Sequence, residues 1–190
     1  LPRLKFLAQA VNLETIILAK LQGAPVIAAE ENKRSEVSDL IAGLDDLLKK
    51  QRALAKDTKG LPAEKAPALA PAQDSLAEKS TAVRARIGKD SKDASVGDEE
   101  FRKRLAQVAG MFAELRVYED MLTAAEQLEQ RKPEPAHTAQ QRAIGSLSRM
   151  VDLLNQWELA QAEKEAAELK AEAEQMEQKL EQLADIQKDI

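Results

Sequence analysis

A repeated polar phrase interrupts the apolar stripe of two neighbouring helical segments, and it constrains the fold more than any other feature of the chain. Gln51 and Thr58 recur as Gln73 and Ser80, each shifted by twenty-two positions. All four fall among leucines that step by three and four residues, the period of an amphipathic helix. Polar side chains at buried helical positions need partners, so we expect the two segments to meet in one register.

The phrase predicts an antiparallel hairpin that turns about residues 65 and 66. In this register Gln51 lies opposite Ser80, and Thr58 lies opposite Gln73, so each amide meets a hydroxyl group. A paired amide adds only about 1 kcal/mol, whereas an amide slipped onto a leucine costs roughly 1–3 kcal/mol. We therefore predict that Gln51, Thr58, Gln73 and Ser80 specify the register.

Composition favours an elongated helical protein. The 190 residues include only three Phe, one Tyr and one Trp, and charged residues make up 32% of the chain. The bias to Ala, Glu, Lys, Leu, Gln and Arg is typical of long helices and coiled coils, and strand formers are sparse. The sequence predicts an all-α fold: an antiparallel helical bundle of about five helices with a long C-terminal coiled-coil helix.

Glycines and prolines divide the helical pattern. Pro133 and Pro135 form the last predicted turn, and Thr138 with Gln141 makes a capping box that opens the last helix. We expect residues 1–150 to form the bundle and residues 151–190 to form an acidic coiled-coil arm continuous with the last bundle helix. The predicted helices cover about 3–22, 27 or 34 to 59, 68–88, a fourth from a capping start at Ser95 and Asp98 to before Pro133, and 139 to the end.

The last helix is too long for the others to cover, since it would run about 75 Å from residue 139 at 1.5 Å per residue. From Val151 onward there are eleven Asp and Glu against four Lys, a balance of -7, so residues 1–150 carry -5 minus -7, or +2. Its apolar residues also follow a heptad repeat. The predicted seam consists of Leu159, Ala162, Ala166, Leu169, Ala173, Met176, Leu180, Leu183 and Ile190.

The charges beside this seam disfavour a parallel, in-register dimer. Two of the three flanking pairs would repel and one would attract: Glu158 with Glu163, Glu172 with Glu177, and Glu165 with Lys170. Each exposed pair contributes only a few tenths of a kcal/mol. An antiparallel pairing or a more basic partner helix is therefore preferred, and the three seam alanines allow close backbone approach.

No constellation for catalysis is present in the sequence. His137 is the only histidine and cysteine is absent, so we predict no catalytic, cofactor or metal site and no small-molecule substrate. The net charge of -5 argues against a nucleic-acid partner, because phosphate neutralisation supplies most of that affinity. The chain begins with Leu rather than Met, and we expect it to be a processed form or a fragment.

Two other features provide alternatives. Lys49, Lys50, Arg52 and Lys56, with Arg84, Arg86 and Lys89, predict a basic surface near one end of the hairpin. This surface suits a peripheral membrane adaptor, although membrane contact is not favoured because acidic residues dilute the charge. Trp157 is a candidate partner anchor, since tryptophan is common at binding hot spots, but packing against the preceding helix is the preferred interpretation.

The phrases Gln51 to Thr58 and Gln73 to Ser80, with Gln141 to Ile144 further on, give the chain a family resemblance. It resembles uncharacterised bacterial envelope-associated helical proteins with Gln-x-x-Leu-Ala-x-x-Thr repeats, often in large, membrane-anchored chains. The resemblance implies a helical scaffold at the cell envelope or in the periplasm and no catalytic residues. Absence of cysteine is compatible with the cytoplasm as well.

Together these features predict a non-enzymatic structural or assembly module. It would mediate protein-protein interaction through helical packing and the C-terminal coiled coil, either by self-association or by binding another protein. The alternative is the membrane-surface adaptor that uses the basic end of the hairpin.

Overall fold

A computed structural model describes the backbone of residues 24–188 and the side chains of residues 38–164 and 166–178. Within the described backbone every regular element is a helix, which confirms the all-α prediction. The predicted helix at 3–22 and seam residue Ile190 lie outside the described residues. The elements are α1 (Ala24–Thr58), a 3₁₀ helix (Ala63–Leu69), α2 (Ala70–Asp90), α3 (Glu99–Glu114), α4 (Val117–Glu129) and α5 (Pro133–Lys188).

Four helices, α1, α2, α4 and α5, form an antiparallel bundle. Their buried stripes carry mainly leucine and alanine, and the largest side chains of the core are fully enclosed. Short connections between consecutive helices favour this antiparallel arrangement. The pairings that show it are Gln51 with Gln73, Arg52 with Ser148, and Asp120 with Arg142, and Ala70 and Leu128 belong to one core cluster.

The predicted fourth helix, from the capping start at Ser95 and Asp98 to before Pro133, is wrong as a single element. It is broken between α3 and α4, where Arg116 adopts a left-handed conformation with φ of 51°. The buried stripe of α3 ends at Phe112 and that of α4 begins at Val117, five residues later. Five residues rotate a continuous helix by about 500°, which would place the two stripes on different faces. The break allows both stripes to reach the core.

The start of α5 also differs from the prediction. Pro133 and Pro135 lie inside its first turn rather than in a loop, because first-turn residues need no intrahelical N–H donor. The hydroxyl of Thr138 donates to the backbone oxygen of Glu134 at 3.1 Å, so the predicted capping box is not formed. His137 therefore lies on a helix, with its Nε2 3.2 Å from the side-chain amide nitrogen of Gln141.

The entry into α3 is constrained by Gly97. Its φ is +56°, and a Cβ added there would lie 2.6 Å from Cδ1 of Phe101. The next residue, Asp98, is the N-cap, and its carboxylate accepts from the backbone N–H of Phe101 at 2.7 Å. Gly97 thus combines a left-handed backbone with close contact to a fully buried ring.

We expect Gly97→Ala to lower the free energy of unfolding by about 1–3 kcal/mol, because both backbone strain and the clash oppose the methyl group. Gly110→Ala is the matched control: Gly110 is a helical residue of α3 with open space at its Cβ position. This control should be neutral or stabilise by about 0.5–1 kcal/mol. Urea unfolding measures both, and equal effects of the two changes would contradict the assignment.

Candidate functional site

The four polar residues singled out by the sequence are all buried. Gln51, Thr58 and Gln73 have no exposed area, and Ser80 is 1% exposed. Gln51 and Gln73 form two reciprocal amide hydrogen bonds, with Nε2 to Oε1 distances of 3.0 and 2.9 Å. Because each amide supplies one donor and one acceptor, these bonds tie α1 to α2 at a single level.

The predicted partners of these residues are wrong. Gln51 lies opposite Gln73 instead of Ser80, whose hydroxyl donates to the backbone oxygen of Ala77 in its own helix at 2.7 Å. The prediction assumed a symmetrical turn, but the 3₁₀ helix between α1 and α2 carries the chain back along the bundle. Gln51 lies seven residues before the end of α1 and Gln73 three residues into α2, an offset of about 6 Å.

Because of this offset, the buried Thr58 side chain contacts α5 rather than α2. Its hydroxyl donates to the backbone oxygen of Leu54 at 2.9 Å and accepts from Nε2 of Gln140 at 3.1 Å. The same Gln140 nitrogen donates to Oε1 of Gln73 at 2.9 Å. Three glutamines from three helices therefore share one network, which we call the glutamine layer: Gln51, Gln73 and Gln140, with Thr58.

Gln140 is the member that sequence reasoning missed. It is fully buried, whereas its neighbour Gln141, which belongs to the phrase used for the resemblance, is exposed. A signal existed, because Gln140 continues the stripe of Ala143, Leu147 and Met150 at steps of three and four residues. The predicted last helix, from residue 139, contained Gln140, but the prediction sought polar partners only within the repeated phrase of one hairpin.

The layer separates two parts of the hydrophobic core. On α2, Gln73 lies between Ala70 of a small alanine-rich cluster near the turn and Leu76 of the main core. On α5, Gln140 likewise lies between Ala136 and Ala143. Oε1 of Gln73 accepts two hydrogen bonds, whereas Oε1 of Gln140 is buried without a protein donor. Gln73 is thus the hub of the layer.

The chemistry of this layer is structural. Its members are neutral amides and a hydroxyl, which neither ionise near neutral pH nor carry a charge that would hold a metal ion. Among the described residues, no group of three or more His, Asp or Glu is placed to ligate a metal. The layer can select one register and one set of helix neighbours, since a slipped helix would leave amides unpaired.

Trp157 packs within the bundle. Its ring centroid lies 4.5 Å from that of Phe101 on α3, at an interplanar angle of 41°. The indole N–H is buried without a protein acceptor. The contact with α3 means that the ring of Trp157 is already engaged, so it does not present the free aromatic surface of a partner anchor.

The arm is the part of α5 beyond these contacts. The helix has 56 residues, or about 84 Å at 1.5 Å per residue. Gln161, whose amide lies 3.4 Å from Asp98, makes the last described hydrogen bond to the bundle. From Ala162 to Gln178 every described side chain is exposed. The large seam residues Leu159, Leu169 and Met176 are 62%, 67% and 49% exposed.

The apolar stripe is displaced around the helix where the arm begins. Within the bundle α5 buries Leu147, Met150 and Leu154, and this face continues as the polar residues Gln161 and Lys164. The seam starts five residues after Leu154, at Leu159, which is about 140° further around the helix. The seam therefore begins beside the face of α5 that meets the bundle and turns back towards it, since Leu169 lies only about 60° from Leu154 around the helix.

The predicted basic surface does not form a single patch. With Gln73 opposite Gln51, Arg84 lies opposite a position about 18 Å from Arg52 along α1. Acidic neighbours also accompany the cations: Lys49 lies 2.6 Å from Asp45, and Arg86 lies 3.5 Å from Asp90. The hydrogen bond and charge of Asp45 raise the pKa of Lys49. The two basic groups are thus separate.

Comparison with known proteins adds no functional assignment. No family model, curated protein or solved structure matches this chain. The resemblance to bacterial envelope proteins accordingly stays a prediction. A membrane-spanning helix would need a long apolar run, and no helix of the described region has one.

Proposed function

We propose that this protein is a non-enzymatic assembly module whose C-terminal arm binds another helix through its apolar seam. The glutamine layer holds the bundle in one arrangement, and the bundle serves as a rigid base for the arm. The single observation that carries this proposal is the exposure of Leu159, Leu169 and Met176 along one face of a helix.

Single exposed apolar residues are common on protein surfaces, whereas an aligned series of them indicates an interaction site. Leu159, Leu169 and Met176 share a heptad face with alanines between them, and the opposite face carries Lys164, Glu168 and Gln178. An amphipathic helix in a protein gains most of its stability when its apolar face packs against another element. A partner helix that covers the seam would supply this burial, in the manner of coiled-coil knobs and holes.

The proposal is tested by placing a photo-crosslinking side chain at position 169, on the seam, or at position 171, on the opposite face. Both are exposed arm positions two residues apart. The full chain is expressed in cells of the organism that produces it. The side chain at position 169 should then crosslink to protein at least several times more strongly than the one at position 171. The crosslinked species, detected by mass spectrometry, can be this chain or another protein.

A second pair of variants controls for changes in helix formation. Met176→Ser removes a large seam side chain and should reduce crosslinking from position 169, whereas Gln178→Ser, on the opposite face, should leave it unchanged. Circular dichroism checks that both variants keep their helical content. Crosslinking that is equal from positions 169 and 171, or absent from both, would overturn the proposal.

A further inference from the structure

We propose that the arm pairs with a second copy of this chain in one antiparallel register, in which Ala173 of each arm lies against Met176 of the partner subunit. This inference rests on the proposed function, because it names the occupant of the seam. It goes further by stating the identity, the orientation and the register of that occupant.

The described part of the chain does not supply its own cover for the seam. Helix α1 is the only described element that runs far enough to lie beside the arm, since Thr58 and Arg52 pair with Gln140 and Ser148 in antiparallel order. Between these pairs α1 follows the buried face of α5, whereas the described seam side chains beyond Gln161 are exposed. Leu169, for example, is 67% exposed. Among the described side chains none covers the seam, which is open to a second helix.

The antiparallel register sets two of the three seam alanines, Ala166 and Ala173, against large residues. Heptad geometry then places Leu169 opposite position 180 of the partner subunit and Ala166 opposite position 183, both of which are leucine in the sequence. Ala173 faces the partner's Met176, and each layer occurs twice by symmetry. Alternating small and large side chains across a seam permits close backbone approach and interdigitated packing.

Charge selects this register among the antiparallel ones. In antiparallel coils the flanking positions e meet e, and g meets g. Here Lys170 lies beside the partner's Glu177, and Glu172 lies beside position 179, a lysine in the sequence. Both kinds of pair attract and both occur twice. The remaining flanking positions set Glu163 against an alanine and Glu165 against an isoleucine, so that no like charges meet.

Neighbouring registers lack this complementarity. A shift by one heptad towards the bundle sets Glu172 against the partner's Glu172, and a shift by two heptads sets Glu165 against the partner's Glu172. Of these shifted registers, the one with Ala166 opposite the partner's Met176 brings Lys170 against the partner's Lys170. The parallel dimer repels at Glu172 with the partner's Glu177. Like-charge contacts therefore disfavour each of these alternatives.

Cysteine pairing tests the register directly, because the chain has no native cysteine. Leu169→Cys and Leu180→Cys variants of the full chain are purified separately, then mixed and oxidised. We expect disulfide-linked dimers from the mixture and little from either variant alone. In the proposed register two copies of position 169 lie about 16 Å apart along the coil, beyond the reach of a disulfide. Ala171→Cys, on the opposite face, is the control.

A charge reversal provides an independent test. Glu177→Lys places lysine against the partner's Lys170 in the antiparallel dimer, so its dissociation constant in sedimentation should rise about tenfold at low salt. Adding Lys170→Glu should restore it. The parallel arrangement requires the opposite result, because Glu177→Lys would then attract the partner's Glu172 and strengthen the dimer.

The outcomes separate this inference from the proposed function. A purified chain that stays monomeric at all concentrations, while position 169 crosslinks to a different protein in cells, overturns self-pairing and keeps the assembly role. Dimers that Leu169→Cys links to itself overturn the antiparallel orientation alone. Crosslinking from neither face, together with a monomeric purified chain, overturns both proposals.

Discussion

Replacing Gln73 with leucine should lower the free energy of unfolding by about 3 kcal/mol. Gln73 is fully buried and forms both hydrogen bonds of Gln51 as well as one of the two from Gln140. The substitution therefore leaves the whole Gln51 amide without partners in the core, and each buried unsatisfied group costs roughly 1–3 kcal/mol. Urea unfolding followed by circular dichroism measures the loss.

The same substitution at Gln140 is the matched control. After Gln140→Leu, Gln73 still bonds Gln51, and the hydroxyl of Thr58 still donates to Leu54. The change also removes the Gln140 oxygen that is buried without a donor. We expect it to cost less than about 1 kcal/mol, with Gln51→Leu between the two because it leaves only one Gln73 donor unpaired. Equal costs at Gln73 and Gln140 would mean that burial, not connectivity, sets the energetics.

Phe101→Ala should be about as costly, at roughly 3–5 kcal/mol. Phe101 is completely buried at the junction of α3 with α5, and its ring packs against Trp157. Truncation removes the transfer free energy of the ring and leaves a cavity that helices on several sides would have to close. Chemical unfolding measures the loss, and fluorescence of the single tryptophan should shift to the red as water reaches Trp157.

Tyr118→Ala is the control for loss of an aromatic side chain. Tyr118 is 40% exposed on α4, so its removal should cost less than half as much as Phe101→Ala. If Phe101→Ala were tolerated within about 1 kcal/mol and left the tryptophan spectrum unchanged, α3 would not be the base on which the arm begins. The position at which the arm leaves the bundle would then need another explanation.

The helical pattern predicted much of the fold because it depends on local periodicity. The turn at Gly60, the hairpin of α1 and α2, and the exposed length of the last helix follow from the spacing of apolar residues and from proline and glycine positions. The break at Arg116 was missed even though the apolar stripe skips from Phe112 to Val117. The five-residue step in the apolar stripe is visible in the sequence. Whether the helix rotates, bends or breaks at that step depends on the helices packed against it.

The glutamine layer shows the limit of pairwise reasoning. The sequence marked Gln51, Thr58, Gln73 and Ser80 as buried polar positions, and all four are buried. It paired them within one hairpin, because a repeat with a single connecting turn suggests a two-helix solution. The actual partner of Thr58 is Gln140, eighty-two residues away on α5. The hydrogen-bonding capacity of a hydroxyl or an amide does not depend on sequence separation. Several residues of the sequence could therefore serve as the partner of Thr58.

The sequence by itself determined which residues face inward, which segments are helical, and that the last helix outruns its bundle, because these depend on short-range periodicity and composition. Only the tertiary structure decided the register of α1 against α2 and the joining of three glutamines. Those features depend on how a seven-residue 3₁₀ helix offsets two long helices and on the third helix that this offset brings beside them. Such offsets are set by the packing of the whole bundle, which no local pattern encodes.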